Sequence, residues 1–118
     1  ADDNAINLQI LEAFLNRLGI EVTAAETGRQ AVELFRPDAF DMLCLDIAMP
    51  EMDGVAALQE IDRIAQAAGT RRPPAVAITA NALPQHIAQY LAAGFEAHLP
   101  KPIRRDGLAA ALTELVAR

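Results

Sequence analysis

Five side chains that could bind a metal ion and a phosphoryl group stand where apolar runs of the sequence end or where a helix begins. They are three carboxylates, one hydroxyl and one ammonium group: Asp2, Asp3, Asp46, Thr79 and Lys101. Clustered carboxylates repel one another, and the pKa of each rises unless a cation shares the charge. Mg²⁺ suits such a set, because it prefers one or two protein carboxylates together with a phosphate oxygen.

Asp46 is the carboxylate that this chemistry would use as its nucleophile. Beside a bound metal ion, a carboxylate can attack a phosphoryl group and become an aspartyl phosphate. In phosphoryl transfer the protein mainly positions groups and balances charge. Thr79 can hydrogen-bond one phosphoryl oxygen while Lys101 pairs with another, so the five residues predict a magnesium-assisted phosphate acceptor.

Strands and helices alternate along the sequence that must position these residues. Four short apolar or β-branched runs predict strands, at residues 20–25, 40–46, 75–80 and 97–101. Leucines at steps of three and four between Asn4 and Leu18 predict a first helix, with Asp3 or Asn4 as its N-cap. Further helices are predicted behind the strands, at about residues 27–36, 55–68, 83–93 and 106–117, the first of them capped by Thr27.

This alternation predicts an α/β domain, in which helices cover both faces of a parallel sheet. The run at residues 40–46 is almost continuously apolar, which is typical of a strand buried on both faces. In such sheets the functional crevice lies beyond the carboxyl ends of the strands. Asp46, Thr79 and Lys101 stand at these ends, so the topology is expected to bring them together.

Size, charge and cysteine content limit the function classes. The 118 residues fit one domain, which we interpret as spanning residues 1–118. A net charge of −6 argues against nucleic acid as a direct partner. The single cysteine, Cys44, excludes a disulfide within the chain, and a reducing cytoplasmic setting is expected. No apolar stretch approaches the roughly 18 residues of a membrane span, so no membrane contact by this domain is expected.

An ordered set of short motifs resembles the receiver domain of bacterial response regulators and hybrid sensor histidine kinases. The matching residues follow the order of that family: Asp2-Asp3-Asn4, Leu45-Asp46, Met49-Pro50, Met52-Asp53-Gly54, Thr79-Ala80-Asn81-Ala82, Ala93-Gly94 and Lys101-Pro102. Each short motif is weak by itself, but independent causes would not produce this order over nearly the whole chain. The long segment at residues 61–83 resembles receivers attached to hybrid kinases in particular.

The resemblance implies a role for the acidic residues. Asp46 would accept a phosphoryl group from a phosphohistidine, on a histidine kinase or on a histidine-phosphotransfer domain. Asp3 would bind Mg²⁺ directly, Asp2 would assist it, and the backbone carbonyl of Ala48 would be a further metal ligand. The domain would therefore promote its own phosphorylation and dephosphorylation and would not be a conventional enzyme.

The resemblance also implies a switch. Thr79 would be the switch hydroxyl and Lys101 the phosphate-binding lysine, while His98 would swing inward when the hydroxyl moves. For His98 a half-buried structural side chain is an equal alternative. The Lys101-Pro102 bond is similar to one that is often cis in the family. A partner would read the surface of the fourth helix, fifth strand and fifth helix, with a homodimer as a further expectation, and a hybrid kinase would place the domain on the cytoplasmic side of a membrane.

The fold implied by the resemblance is flavodoxin-like: a doubly wound parallel sheet of five strands in the order 2-1-3-4-5, with five helices. The family has an apolar first strand directly before the acidic pair, whereas here only Ala1 precedes Asp2. Leaving out a central strand would leave backbone groups of its neighbours unpaired, so we expect about five further residues upstream.

The alternatives to a phosphorylated receiver are a pseudo-receiver and a flavin-binding flavodoxin relative. A pseudo-receiver would keep the fold as an interaction module without phosphorylation, and would lack the acceptor, the acid pair or the lysine. A flavin-binding flavodoxin relative would need a phosphate-binding loop rich in Ser, Thr and Gly after its first strand. The sequence DDNAIN places two negative charges there, which argues against that class.

Several other polar residues are interpreted as structural. Asp53-Gly54 is expected to form a turn that positions the loop after Asp46. His86 is predicted to face solvent without a metal role, and Tyr90 to pack or cap the surface of its helix. Arg71 and Arg72 are predicted to lie in a solvated loop.

Overall fold

The structure, a computed structural model, describes residues 1–116. Within them lie three strands, β1 (Leu43–Asp46), β2 (Ala75–Thr79) and β3 (Ala97–Pro100). Five helices surround the strands: α1 (Ala5–Arg17), α2 (Gly28–Leu34), α3 (Gly54–Ala67), α4 (Pro84–Ala92) and α5 (Arg105–Val116). The element types agree with the predictions, apart from residues 20–25, and Ala117 of the last predicted helix lies outside the described residues.

The three strands form a parallel sheet in the order β1-β2-β3. Asp46 pairs with Ile78 in the register, and Thr79 pairs with Pro100, the residue before Lys101. Because parallel strands end at the same edge, the register brings the three predicted site residues to one side of the sheet.

Side chains alternate between the two faces of the sheet, and each face has its own core. Ala75 and Ala77 of β2 pack with α3, while Val76 and Ile78 pack with α1 and α5. α4 joins the first core only through Tyr90, the one buried residue of that helix. Helices thus cover both faces, as the doubly wound fold requires.

Residues 20–25 form no strand, so the prediction of a strand there is wrong. A strand needs backbone partners along its length. Here the Asp2 N–H donates to the Ala25 carbonyl (3.1 Å), and the Asp46 N–H donates to the Ala1 carbonyl (2.9 Å). Ala1 and Asp2 therefore lie between Ala25 and β1, the place of the central strand in the predicted order.

Within residues 1–116 no strand precedes β1, in agreement with the predicted absence of the first strand. Beside Ala1 lies an open groove of about 700 Å³ between residues 19–24 and residues 39–44. Apolar side chains of Leu11, Ile20 and Met42 line it. The extended segment at residues 20–25 thus lacks a neighbouring strand along this groove.

Local capping explains where three helices begin. Asn4 caps α1, and its side chain accepts hydrogen bonds from the N–H groups of Ile6 and Asn7. Thr27 caps α2 and Asp53 caps α3 in the same manner. These side chains satisfy amide groups that have no partner inside the helix, and the predicted caps Asn4 and Thr27 are confirmed.

Candidate functional site

The carboxyl edge of the sheet holds a buried ion pair. Asp46, the last residue of β1, is 1% exposed, and the Lys101 Nζ donates to its Oδ2 over 2.8 Å. Lys101 follows β3, and its backbone N–H donates to the Thr79 carbonyl (2.8 Å). The sheet therefore holds the ammonium group in place beside the carboxylate, as the sequence predicted.

Two more carboxylates join this pair. Asp2, Asp3 and Asp46 each offer an oxygen atom, and these atoms lie within 4.8 Å of one another. Asp2 is fully buried and Asp3 is exposed. Three carboxylates therefore share one ammonium group, which leaves excess negative charge.

One oxygen of Asp2 marks the place where a cation would fit. The Asp2 Oδ1 accepts a hydrogen bond from the Asn4 N–H (2.9 Å). The Oδ2 is buried without a hydrogen bond, and it lies 3.7 Å from the Lys101 Nζ. Because an unbonded carboxylate oxygen is costly to bury, this oxygen and the excess charge fit a divalent cation with oxygen ligands.

Burial and neighbouring charges shift the pKa values of Asp46 and Lys101. Burial raises the pKa of Asp46 above its usual range, and the charge of Asp2 raises it further, against the hydrogen bond from Lys101. Burial by itself would lower the pKa of Lys101, but the hydrogen bond and charge of Asp46, together with the charges of Asp2 and Asp3, outweigh it and leave that pKa raised. The lysine thus stays charged, while the charge of the Asp46 carboxylate lacks full compensation.

The loop after Asp46 lies close to the site. The Ala48 N–H donates to the Asp46 Oδ1 (3.2 Å), which places the backbone of Ala48 beside the Asp46 carboxylate. A Cβ atom on Gly54 would collide with the carbonyl oxygen of Asp46, so a residue without a side chain is required there. The pair Asp53-Gly54 therefore caps α3 and lets its first turn approach β1.

The Thr79 hydroxyl forms its hydrogen bonds with Asn81 and Tyr90, and not with the ion pair of Asp46 and Lys101. Its Oγ1 accepts a hydrogen bond from the Asn81 N–H (2.9 Å) and donates to the Asn81 carbonyl (3.1 Å). It also lies 3.0 Å from the Oη of Tyr90, which is buried in α4. Sequence reasoning missed this contact, because the pattern around Tyr90 indicates only a packed helix residue.

The two histidines have different surroundings. His98 lies in β3 opposite Ala77 and is half-buried, and no hydrogen bond of its ring is found within residues 1–116, so its switch role stays a prediction. His86 is half-buried, with its Nε2 at 3.3 Å from the Asn81 Nδ2. The prediction that His86 faces solvent is therefore only partly right, since the residue is half-buried and contacts Asn81 of the loop before α4.

The prediction that Arg72 lies in a solvated loop is wrong. Its Nη2 lies 2.9 Å from the Glu96 Oε1, and only 16% of the Arg72 side chain is exposed. The guanidinium group also donates to the carbonyls of Pro73 and Gly94. Arg71 is exposed, as predicted, but Arg72 is a bonded structural residue.

The fold and the site define a class: a doubly wound α/β domain with an acidic cluster and a lysine at the carboxyl edge of its sheet. Residues 1–113 match the family model for the response regulator receiver domain. The chain belongs to this family and is a receiver domain of two-component signalling, as the motif order indicated.

Solved structures share the fold. The receiver domain of a sensor histidine kinase from Pseudomonas aeruginosa, solved with a magnesium ion coordinated in its active-site cleft, has a TM-score of 0.82 and 32% identity. That comparison covers 100% of this chain and 94% of the other. A chemotaxis response regulator of Vibrio cholerae has a TM-score of 0.83 and 26% identity, covering 97% and 92% of the two chains. The flavodoxin-like receiver fold is thus confirmed.

Curated relatives are histidine kinases. The signal transduction histidine-protein kinase BarA of Shigella flexneri is 36% identical over 107 residues, which are 91% of this chain and 11% of BarA. The peroxide stress-activated histidine kinase mak1 of Schizosaccharomyces pombe is 34% identical over 106 residues, which are 87% of this chain and 6% of mak1. The chain therefore spans about a tenth or less of the length of these relatives.

Proposed function

We propose that Asp46 accepts a phosphoryl group from a phosphohistidine and that the resulting charge switches the partner-binding surface of the domain. The single observation that carries this proposal is the arrangement around Asp46. Lys101 bonds its Oδ2, while the buried Asp2 Oδ2 has no hydrogen bond and shares the cluster. A purely structural ion pair would have no need for two additional carboxylates.

The chemistry follows from these contacts. An oxygen of Asp46 attacks the phosphorus atom, a P–O bond forms, and the P–N bond to the donor histidine breaks. The imidazole nitrogen leaves with the electron pair. Lys101 pairs with the negative charge of the phosphoryl oxygens, because its ammonium group already lies 2.8 Å from the acceptor.

We infer that Mg²⁺ is the cofactor. Asp2, Asp3 and Asp46 would hold it, with the carbonyl of Ala48 as a further ligand. When bound, the ion would offset the charge that develops on the phosphoryl group. Support comes from the cluster of three carboxylates within 4.8 Å of one another.

The partners are proposed by the same reasoning. A phosphohistidine on a kinase or a histidine-phosphotransfer domain would supply or receive the phosphoryl group, and α4, β3 and α5 would form the surface that a partner reads. The net charge of −6 argues against nucleic acid as a partner of this domain. No helix within residues 1–116 is long and apolar enough to cross a bilayer, and we propose a cytoplasmic setting.

Intact mass tests the acceptor. Incubation with a small phosphodonor and Mg²⁺ is expected to add one phosphate to the protein, and Asp46→Asn is expected to lose this gain completely. Asp106→Asn is the matched control, because Asp106 is an exposed carboxylate at the start of α5. A gain that persists in Asp46→Asn would refute the assignment, and no gain in the parent protein would favour the pseudo-receiver.

Thermal unfolding tests the metal site. At about ten times its Kd, Mg²⁺ should add ~1.4 kcal/mol to the free energy of unfolding, since it binds only the folded chain. The effect should be lost in Asp2→Asn and kept in Asp106→Asn. An equal response in both variants would contradict the site.

A further inference from the structure

We infer that Tyr90 of α4 holds the Thr79 hydroxyl in the unphosphorylated state and loses this contact when Asp46 is phosphorylated. Tyr90 would thus be a positioning residue that links the acceptor site to α4. The inference rests on the proposed phosphorylation of Asp46.

The first step is a count of protons on the Thr79 hydroxyl. A threonine hydroxyl can donate one hydrogen bond and accept two. The Oγ1 accepts from the Asn81 N–H (2.9 Å) and lies 3.1 Å from the Asn81 carbonyl, which can only accept. The Tyr90 Oη lies 3.0 Å from the same oxygen, and it also lies 3.4 Å from the Asn81 carbonyl. The single Thr79 proton is therefore shared between two acceptors, the Asn81 carbonyl and the Tyr90 hydroxyl.

This arrangement leaves the hydroxyl no free proton. The oxygens of a phosphoryl group on Asp46 are acceptors, so Thr79 can bond one of them only by giving up its present acceptor, the Asn81 carbonyl or the Tyr90 hydroxyl, and turning its Oγ1. Thr79 is 3% exposed, and it shares its buried surroundings with Tyr90. Turning the Oγ1 toward the phosphate therefore removes the Tyr90 partner.

The second step is the position of Tyr90 in α4. Tyr90 is the buried residue of this helix, and Leu83, the N-cap, makes no side-chain capping bond. After loss of Thr79, the Tyr90 Oη keeps only the Asn81 carbonyl, at 3.4 Å in this state. Because 3.4 Å is long for the hydrogen bond of a buried hydroxyl, we expect Tyr90 to rearrange and the helix that it anchors to move with it.

Tyr90 also provides its own probe. It is the only tyrosine, and the chain contains no tryptophan, so tyrosine emission reports the surroundings of Tyr90 alone. The emission of Thr79→Val, measured without phosphodonor, is the reference value for Tyr90 without the Thr79 hydroxyl as its partner. Thr113→Val is the matched control, because Thr113 bonds only within α5 and should leave the emission unchanged.

The experiment follows emission and intact mass together in the parent protein with phosphodonor and Mg²⁺. We expect the emission to move toward the Thr79→Val value as the mass rises, and neither to change in Asp46→Asn. A mass gain with constant emission would overturn this inference alone. No mass gain would overturn the proposed function and this inference with it.

Tyr90→Phe provides a second measurement that keeps the ring. Removing the Tyr90 hydroxyl takes away a bond of the resting state only, so phosphorylation should become about two- to tenfold faster, the effect of one neutral hydrogen bond. Circular dichroism checks that the fold is intact. An unchanged or slower rate in folded Tyr90→Phe would overturn the inference.

Discussion

The two edges of the sheet each hold a partly buried group of charges, but only one group is fully bonded. At the amino edge, both oxygens of Glu96 accept hydrogen bonds, from Arg72 and from the Ala75 N–H. At the carboxyl edge, Asp2, Asp3 and Asp46 share Lys101, and the Asp2 Oδ2 has no hydrogen bond. Paired and satisfied charges indicate a structural role, whereas uncompensated charge at a fixed position indicates a binding site.

Breaking the amino-edge group should have the largest effect on stability. Arg72→Ala leaves two backbone carbonyls without the donation from Arg72, and it leaves the Glu96 carboxylate with only the Ala75 N–H as a donor. We expect a loss of about 2–3 kcal/mol in the free energy of unfolding, below the value for a completely buried pair, because 24% of the Glu96 side chain is exposed. Urea denaturation measures it. Arg71→Ala, at the exposed neighbour, is the control, and an equal loss in both variants would contradict the comparison.

Neutralising Asp46 should change the free energy of unfolding in the opposite direction, toward greater stability. In metal-free buffer, Asp46→Asn removes a buried charge whose ionised form the fold disfavours, since the pKa of Asp46 is raised by burial and by Asp2. We expect the free energy of unfolding to rise by about 1 kcal/mol. Urea denaturation with a chelator present measures this change. A loss of stability in Asp46→Asn would show that the carboxyl edge is a satisfied structural group as well.

The gain from Asp46→Asn should depend on pH. A carboxyl group with a higher pKa in the folded chain than in the unfolded chain binds its proton more tightly when folded. The destabilisation is therefore present above the raised pKa of Asp46 and disappears as the pH falls through it. The difference between Asp46→Asn and the parent protein should shrink on acidification, and a difference that grows would give the pKa shift the wrong sign. Urea denaturation over a pH series measures it.

The smallest effect is expected at an exposed ion pair. The Arg29 Nε lies 3.8 Å from the Glu51 Oε2, and both side chains are more than half exposed. Arg29→Ala should change the free energy of unfolding by at most about 0.5 kcal/mol, since solvent screens the pair. Urea denaturation in low and high salt measures it. A larger loss of unfolding free energy that does not depend on salt would contradict the comparison. It would mean that the contribution of an ion pair to stability does not follow its burial.

Helix starts and site residues could be predicted because their determinants are local or follow from topology. Asn4 and Thr27 cap helices through amide groups two or three residues away. Asp46 and Lys101 could be placed together because parallel strands end at one edge of the sheet. The role of Arg72 could not be predicted, because its partner Glu96 is 24 residues away.

The sequence by itself determined the alternation of elements, the caps and the order of the family motifs, since each depends on neighbouring residues or on periodicity. Tertiary structure decided that residues 20–25 form no strand, that the Asp2 Oδ2 is buried without a hydrogen bond, and that Tyr90 lies against Thr79. The physical reason is that burial and hydrogen-bond partners come from segments distant along the chain, and only packing brings those segments together.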